Sequence, residues 1–157
     1  MILYLSVKLL HILSATLLFG TGLGTAFFML QAYKSDNAGA MRMTTKNVVL
    51  ADWIFTTPAI VVQIVTGIWL TQRLGIPYNS VWFITVITLF CFVGACWLPV
   101  VWIQIKVRNM LREGRPFADC KRLMTAWFAL GIPAFVTVLV LFALMVYRPW
   151  IDRLLVT

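Results

Sequence analysis

The sequence predicts an all-α integral membrane protein, a four-helix bundle whose helices run up-down-up-down within one domain, residues 1–157. Two observations predict this class. Of the 157 residues, 62% are hydrophobic and 11% are charged, and the mean hydropathy is +0.93, whereas a soluble domain is about half apolar and about a quarter charged. The apolar residues also gather into four long runs, and a chain this short cannot bury so much apolar surface within itself.

The four apolar runs cover about 2–30, 48–72, 81–105 and 125–147. Each run reaches the roughly 20 residues that a helix needs to cross the hydrocarbon core of a bilayer. Helices are expected because lipid offers no hydrogen-bond partner to an open backbone. Three of the runs contain an internal proline, which predicts a kink because each proline removes one backbone donor: Pro58, Pro99 and Pro133.

The polar connections predict an orientation. Segments 31–47 and 106–123 lie on one side of the membrane and together hold nine Lys and Arg, whereas the other side holds four. Because cytoplasmic loops collect Lys and Arg, we expect both termini outside, in the periplasm of a bacterial inner membrane. This bias explains the net charge of +8, and no nucleic-acid partner is expected. The four outer cations are Lys8, Arg73, Arg148 and Arg153.

Two further features concern the membrane surface. A short surface helix around Lys106–Glu113 is expected to lie on anionic headgroups. Most tryptophans fall near the ends of the apolar runs, which predicts an aromatic belt at the two interfaces. The six residues of this expected belt are Trp53, Trp69, Trp82, Trp102, Trp127 and Trp150.

Polar residues within the runs form stripes at helical spacing. Lys8, His11 and Ser14 share a stripe on the first run, and Asp52 and Gln63 share a face of the second. Polar side chains gain partners between helices and lose them in lipid, so both stripes are expected to face the interior of the bundle.

Asp52 is the single acidic residue within the predicted runs. An unpaired carboxylate at that depth would cost several kcal/mol. We therefore expect a structural ion pair with a basic residue at the same level, Lys106 or Lys46, and the alternative is a role in handling protons.

His11 is the single histidine of the chain and has two interpretations. One is a hydrogen bond between helices. The other is an axial ligand to the iron of a b-type haem, since imidazole suits iron and helical bundles hold haem between facing helices. In that case Lys8, Ser14 and Gln63 would line the site. The second axial ligand would be Met145, His11 of a second copy, or no side chain at all.

Three segments resemble an uncharacterised bacterial family of predicted four-span integral membrane proteins. They are DWIFTTPAIVVQIVTGIWL (Asp52–Leu70), ACWLPVVWIQIKVR (Ala95–Arg108) and WFALGIPAF (Trp127–Phe135). The resemblance extends over nearly the whole chain and implies the same four-span membrane fold.

A more distant resemblance reaches the HemJ-type protoporphyrinogen oxidases and the CopD-like copper-resistance membrane domains. The matching residues are KLLHI (8–12), TPA (57–59), Gly67–Leu70 and Trp82. This resemblance implies a haem-binding role for His11. The chain has Thr85 where HemJ proteins carry a lysine, and it lacks their second histidine. Haem binding is therefore implied more strongly than oxidation of protoporphyrinogen.

Two further functions compete with haem binding. One is a non-catalytic accessory or assembly subunit of a larger membrane complex, in which the chain could also pair with a second copy. The other is copper-related transport, because Met41 and Met43 form a Met-x-Met pair and thioethers suit Cu(I).

Overall fold

The computed structural model describes the backbone of residues 1–154 and the side chains of residues 1–148. The side chains of Trp150 and Arg153 lie outside that part. The described chain is helical, with a π-helical turn at Asp52–Thr56 between α2 and α3 and a 3-10 turn at Phe117–Cys120 before α5. The helices are α1 (Ile2–Lys34), α2 (Ala38–Ala51), α3 (Thr57–Arg73), α4 (Val81–Arg112) and α5 (Lys121–Leu154).

Four stretches are long and apolar enough to cross a membrane, and each contains one of the predicted runs. They are Ile2–Lys34, Ala38–Arg73, Val81–Arg112 and Phe117–Arg148. The outward surfaces of these helices expose many large apolar side chains, as expected where lipid is the solvent. The all-α class with four membrane-spanning helices is therefore confirmed.

The polar connections are shorter than the sequence predicts. Most of segment 31–47 is helical, because Asn37 starts α2 by accepting hydrogen bonds at its Oδ1 from the backbone N–H groups of Gly39 (2.8 Å) and Ala40 (3.1 Å). The surface helix expected around Lys106–Glu113 is not a separate element. These residues continue α4, which ends where Gly114 adopts a φ of +78°, a conformation that favours glycine.

The first and third connections lie at the same end of the bundle. The Lys121 ammonium is 3.4 Å from the Asp36 carboxylate, and the rings of Tyr33 and Phe117 are 5.8 Å apart between centroids. At the opposite end, the indole N–H of Trp82 at the start of α4 donates to a backbone carbonyl near the end of α5. The alternating up-and-down course of the helices follows from these contacts.

The buried core is concentrated at the end that carries the first and third connections. There α2 packs on α1 and α4, and α4 packs on α5. Towards the opposite end α1 packs on α3 and α4 packs on α5, while α3 and α4 have little contact with each other. The core residues of the packed end are Met29, Ala32, Met41, Val48, Val100, Ile103, Val107, Met110, Leu111, Phe117, Cys120, Met124 and Trp127.

Two tryptophans of the expected aromatic belt belong to the interior instead. Trp82 is 8% exposed and Trp127 is 4% exposed. Each indole N–H has a partner inside the bundle, the carbonyl of Leu144 for Trp82 (3.0 Å) and the side chain of Gln104 for Trp127. The belt interpretation was wrong for these two residues, because position near a helix end does not show which face of the helix carries the ring. Trp53 and Trp102 are exposed, as a belt requires.

The orientation predicted from the charge count can be tested by thiol labelling. We expect a membrane-impermeant maleimide to label an Asn79→Cys variant in intact cells and a Glu113→Cys variant only after lysis, because positively charged loops stay in the cytoplasm. The unsubstituted protein is the control for its native thiols. Labelling of Glu113→Cys before lysis would reverse the orientation.

Candidate functional site

A histidine cluster joins α1 to α3 through four polar side chains: His11, Ser14, Gln63 and Thr66. The imidazole Nδ1 of His11 lies 2.8 Å from Thr66 Oγ1, and its Nε2 lies 3.0 Å from Gln63 Nε2. The hydroxyl of Ser14 donates to Gln63 Oε1 at 2.6 Å. The expected inward orientation of His11 and Gln63 is therefore confirmed, and so is an interhelical hydrogen bond made by His11.

The hydrogen-bond partners of the His11 ring are compatible with two tautomers. If the Gln63 amide nitrogen donates to Nε2 and the Thr66 hydroxyl donates to the Val62 carbonyl at 2.5 Å, the ring carries its proton on Nδ1 and a lone pair on Nε2. If the Ser14 hydroxyl donates to the His11 carbonyl at 2.9 Å and the Gln63 amide is turned so that its oxygen faces Nε2, the ring carries its proton on Nε2.

Helix α3 comes close to the His11 ring because residue 67 has no side chain. A Cβ atom added to Gly67 would lie 3.3 Å from Cε1 of His11. Gly67 therefore lets the imidazole reach Thr66 and Gln63 at the same time.

The remaining residues of the predicted haem site lie outside this cluster. Lys8 is exposed, one turn before His11 on α1. Met145 is 42% exposed on α5, whereas the histidine cluster is built from α1 and α3. The structure therefore brings Ser14 and Gln63 to His11 and leaves Met145 apart from them.

A second set of polar residues, the aspartate cluster, lies at the packed end and consists of Asp52, Thr56, Gln104 and Trp127. The Asp52 carboxylate accepts from the Thr56 hydroxyl at 2.9 Å and from the Gln104 amide at 2.7 Å. The Gln104 oxygen in turn accepts from the Trp127 indole N–H at 3.3 Å. All four residues are buried, so one chain of hydrogen bonds connects the second, third and fourth spans.

The ion pair expected between Asp52 and Lys106 or Lys46 is replaced by these hydrogen bonds. Gln104 occupies the face of α4 that meets Asp52, and Lys106 lies two residues further on, a spacing that turns its side chain to another face. The Lys106 ammonium instead lies over the exposed Trp102 ring, 4.7 Å from its centroid. Lys46 is exposed on α2.

The π-helical turn at Asp52–Thr56 carries two members of the aspartate cluster. Its bond runs from the Thr57 N–H to the Asp52 carbonyl, five residues back. It directly precedes Pro58, which has no N–H and would collide with the carbonyl four residues earlier in a regular helix. The sequence predicted a distortion at Pro58 but not this form. π-Bulges are frequent at functional sites.

The Met-x-Met pair does not form one site. Both residues lie on α2, where Met41 is 0% exposed within the core and Met43 is 60% exposed. Residues two apart on a helix face different directions, so the two thioethers point to different surroundings. Among the described residues there is no group of three or more His, Cys, Asp and Glu side chains that could hold a metal ion.

Four apolar helices of membrane length, with their polar side chains paired across helix interfaces, define an integral membrane helical bundle. The chain belongs to the family described as predicted integral membrane protein (DUF2269), whose profile matches residues 5–149. Neither a curated protein nor a solved structure matches the sequence. The likeness to HemJ-type and CopD-like proteins stays a resemblance of short motifs.

Replacing Gln104 tests how much the aspartate cluster contributes to the stability of the fold. We expect Gln104→Leu to lower the free energy of unfolding by about 2 kcal/mol or more, because the buried carboxylate and the indole N–H both lose a partner. Asp52→Ala should lower the free energy of unfolding by less in the Gln104→Leu background than in the wild type, since the hydrogen bond between the two residues is already lost. Equilibrium unfolding in detergent measures the free energy of each variant. Gln72→Leu, at an exposed position on α3, is the control, and equal losses at Gln104 and Gln72 would contradict the assignment.

The close approach at Gly67 predicts a difference between two glycines. We expect Gly67→Ala to be less stable than Gly94→Ala by about 1–2 kcal/mol, because the added methyl group meets a ring that is fixed at both nitrogens. Nothing lies within 4 Å of a Cβ at position 94, and both changes alter helix propensity alike. Thermal melting in the same detergent compares the two variants. Equal melting temperatures would show that the His11 ring moves aside at no measurable cost in stability.

Proposed function

We propose that this integral membrane protein binds a b-type haem through Nε2 of His11. In this proposal it lies in a bacterial inner membrane, with the end of the bundle that contains His11 on the outer side. The observation that carries the proposal is the position of the imidazole, whose Nδ1 lies 2.8 Å from Thr66 Oγ1 and whose Nε2 lies 3.0 Å from the Gln63 amide. The proposal takes the tautomer with its proton on Nδ1 and a lone pair on Nε2.

That arrangement fits the usual chemistry of a metal-ligating histidine. Such a residue donates its second ring N–H to a neighbouring acceptor, which fixes both tautomer and ring orientation. Thr66 Oγ1 supplies that acceptor for His11.

The surroundings of His11 supply three further features. Gln63 covers Nε2 with a flexible side chain, which must turn away for the nitrogen to meet iron. Lys8 provides an exposed cation one turn from His11, where the carboxylates of haem would find a partner. Helices α3 and α4 have little contact with each other.

Haem supplies electron transfer or the binding of small molecules at iron, depending on whether a second axial ligand is present. Since Met145 lies apart from the histidine cluster, a second ligand would come from His11 of a second copy or would be absent. In this proposal the neutral imidazole of His11 would hold the haem iron. Thr66 would keep the ring oriented by accepting the Nδ1 proton.

Absorption spectroscopy tests the proposal. We expect the wild-type protein, extracted in mild detergent from cells supplied with a haem precursor, to show a Soret band that His11→Ala abolishes. Thr66→Val should weaken haem affinity by about 10- to 100-fold, because the Nδ1 proton loses its acceptor. Thr16→Val is the matched control, since the Thr16 hydroxyl bonds only to its own helix backbone.

Two results would contradict haem binding: a wild-type protein without a Soret band, or a band that is unchanged in His11→Ala. A haem-free protein that purifies in fixed stoichiometry with another membrane protein would instead favour the accessory or assembly role. In that case the histidine cluster serves to hold α1 against α3.

A further inference from the structure

A basic groove lies between the last turns of α4 and the first turn of α5. Its volume is about 520 Å³. Three cationic side chains line it, Lys106, Arg115 and Arg122, together with a single acid, Asp119. The rest of the lining is apolar and comes from Met110, Leu123 and Ala126.

The three cations of the basic groove are not neutralised within the chain. Among the described side chains the salt bridge that forms is between Lys121 and Asp36, so none of the three has a carboxylate within 4.0 Å. With Asp119 counted, the groove keeps an excess of two positive charges.

We expect the groove to lie at the depth of lipid headgroups. Lys106 directly follows the apolar run of α4, and the six residues after it, up to Arg112, add about 9 Å of helix. A headgroup layer is roughly 5–7 Å thick on each side of the hydrocarbon core. Trp102, one turn nearer the core and 57% exposed, occupies the level that tryptophan favours at membrane interfaces.

We propose that the basic groove binds the phosphate of one anionic phospholipid. The three cations contact the phosphate oxygens, and the apolar side chains of Met110, Leu123 and Ala126 adjoin the start of the acyl chains. The combination of cations with an apolar wall on membrane-spanning helices favours a lipid over a free phosphate ion. This site is independent of His11, which lies towards the other end of the bundle.

Native mass spectrometry of the full chain in detergent tests the proposal by titration with phosphatidylglycerol and with phosphatidylcholine. We expect the wild-type protein to retain one phosphatidylglycerol molecule and to bind phosphatidylcholine weakly. The triple variant Lys106→Gln, Arg115→Gln, Arg122→Gln should bind phosphatidylglycerol at least about tenfold more weakly, because each cation near an anionic headgroup contributes about 1 kcal/mol.

A second triple variant is the matched control: Lys34→Gln, Arg42→Gln, Lys46→Gln. It removes the same charge from exposed residues of α1 and α2 at the same end of the bundle, and its affinity should stay within about twofold of the wild type. If the groove triple variant does not fold, Arg122→Gln alone should still weaken phosphatidylglycerol binding by about threefold or more.

Two outcomes would overturn the proposal. Equal weakening in the two triple variants would show a general attraction between lipid and a basic surface. Displacement of phosphatidylglycerol by millimolar inorganic phosphate would show a site for a soluble anion. The proposal is supported if inorganic phosphate does not compete and if only the groove variants lose affinity for phosphatidylglycerol.

Discussion

The fold depends on one constraint: a polar group within lipid must find its partner inside the chain. The hydrogen bond from Gln104 to Asp52 meets this constraint for the acidic residue of the second span, because an unpaired carboxylate is costly in lipid. The same amide accepts from the Trp127 indole. Through these bonds the packed end of the bundle acquires a fixed register between its second, third and fourth spans.

The two polar clusters show how unevenly the bundle is held together. At the packed end, the aspartate cluster is embedded in a core of methionine, valine and tryptophan side chains. Towards the other end, α1 and α3 are joined by hydrogen bonds among His11, Gln63 and Thr66. A smaller apolar cluster of Ile76, Trp82 and Val86 packs there against α5.

The sequence was sufficient to predict the four spans, because composition and run length determine them. Helical periodicity predicted the inward orientation of His11, Ser14 and Gln63, but it wrongly placed Lys8 on the same inward face, since Lys8 is exposed. The partner of Asp52 could not be predicted in the same way. Opposite charge suggested Lys106, whereas the pairing depends on how α4 is rotated and shifted against α2, and local sequence does not encode that relation. Trp127 was misjudged for the same reason.

The π-helical turn determines which neighbours the second span can reach. One extra residue in a turn rotates all later positions by about 100° relative to a regular α-helix. At the start of that phase change the span presents Asp52 to α4, and downstream of it the span presents Gln63 and Thr66 to α1. The second span therefore contacts two different neighbours through side chains that a regular α-helix would direct elsewhere. Insertion or deletion of one residue at this turn would rotate one part of the span and break one of the two interfaces.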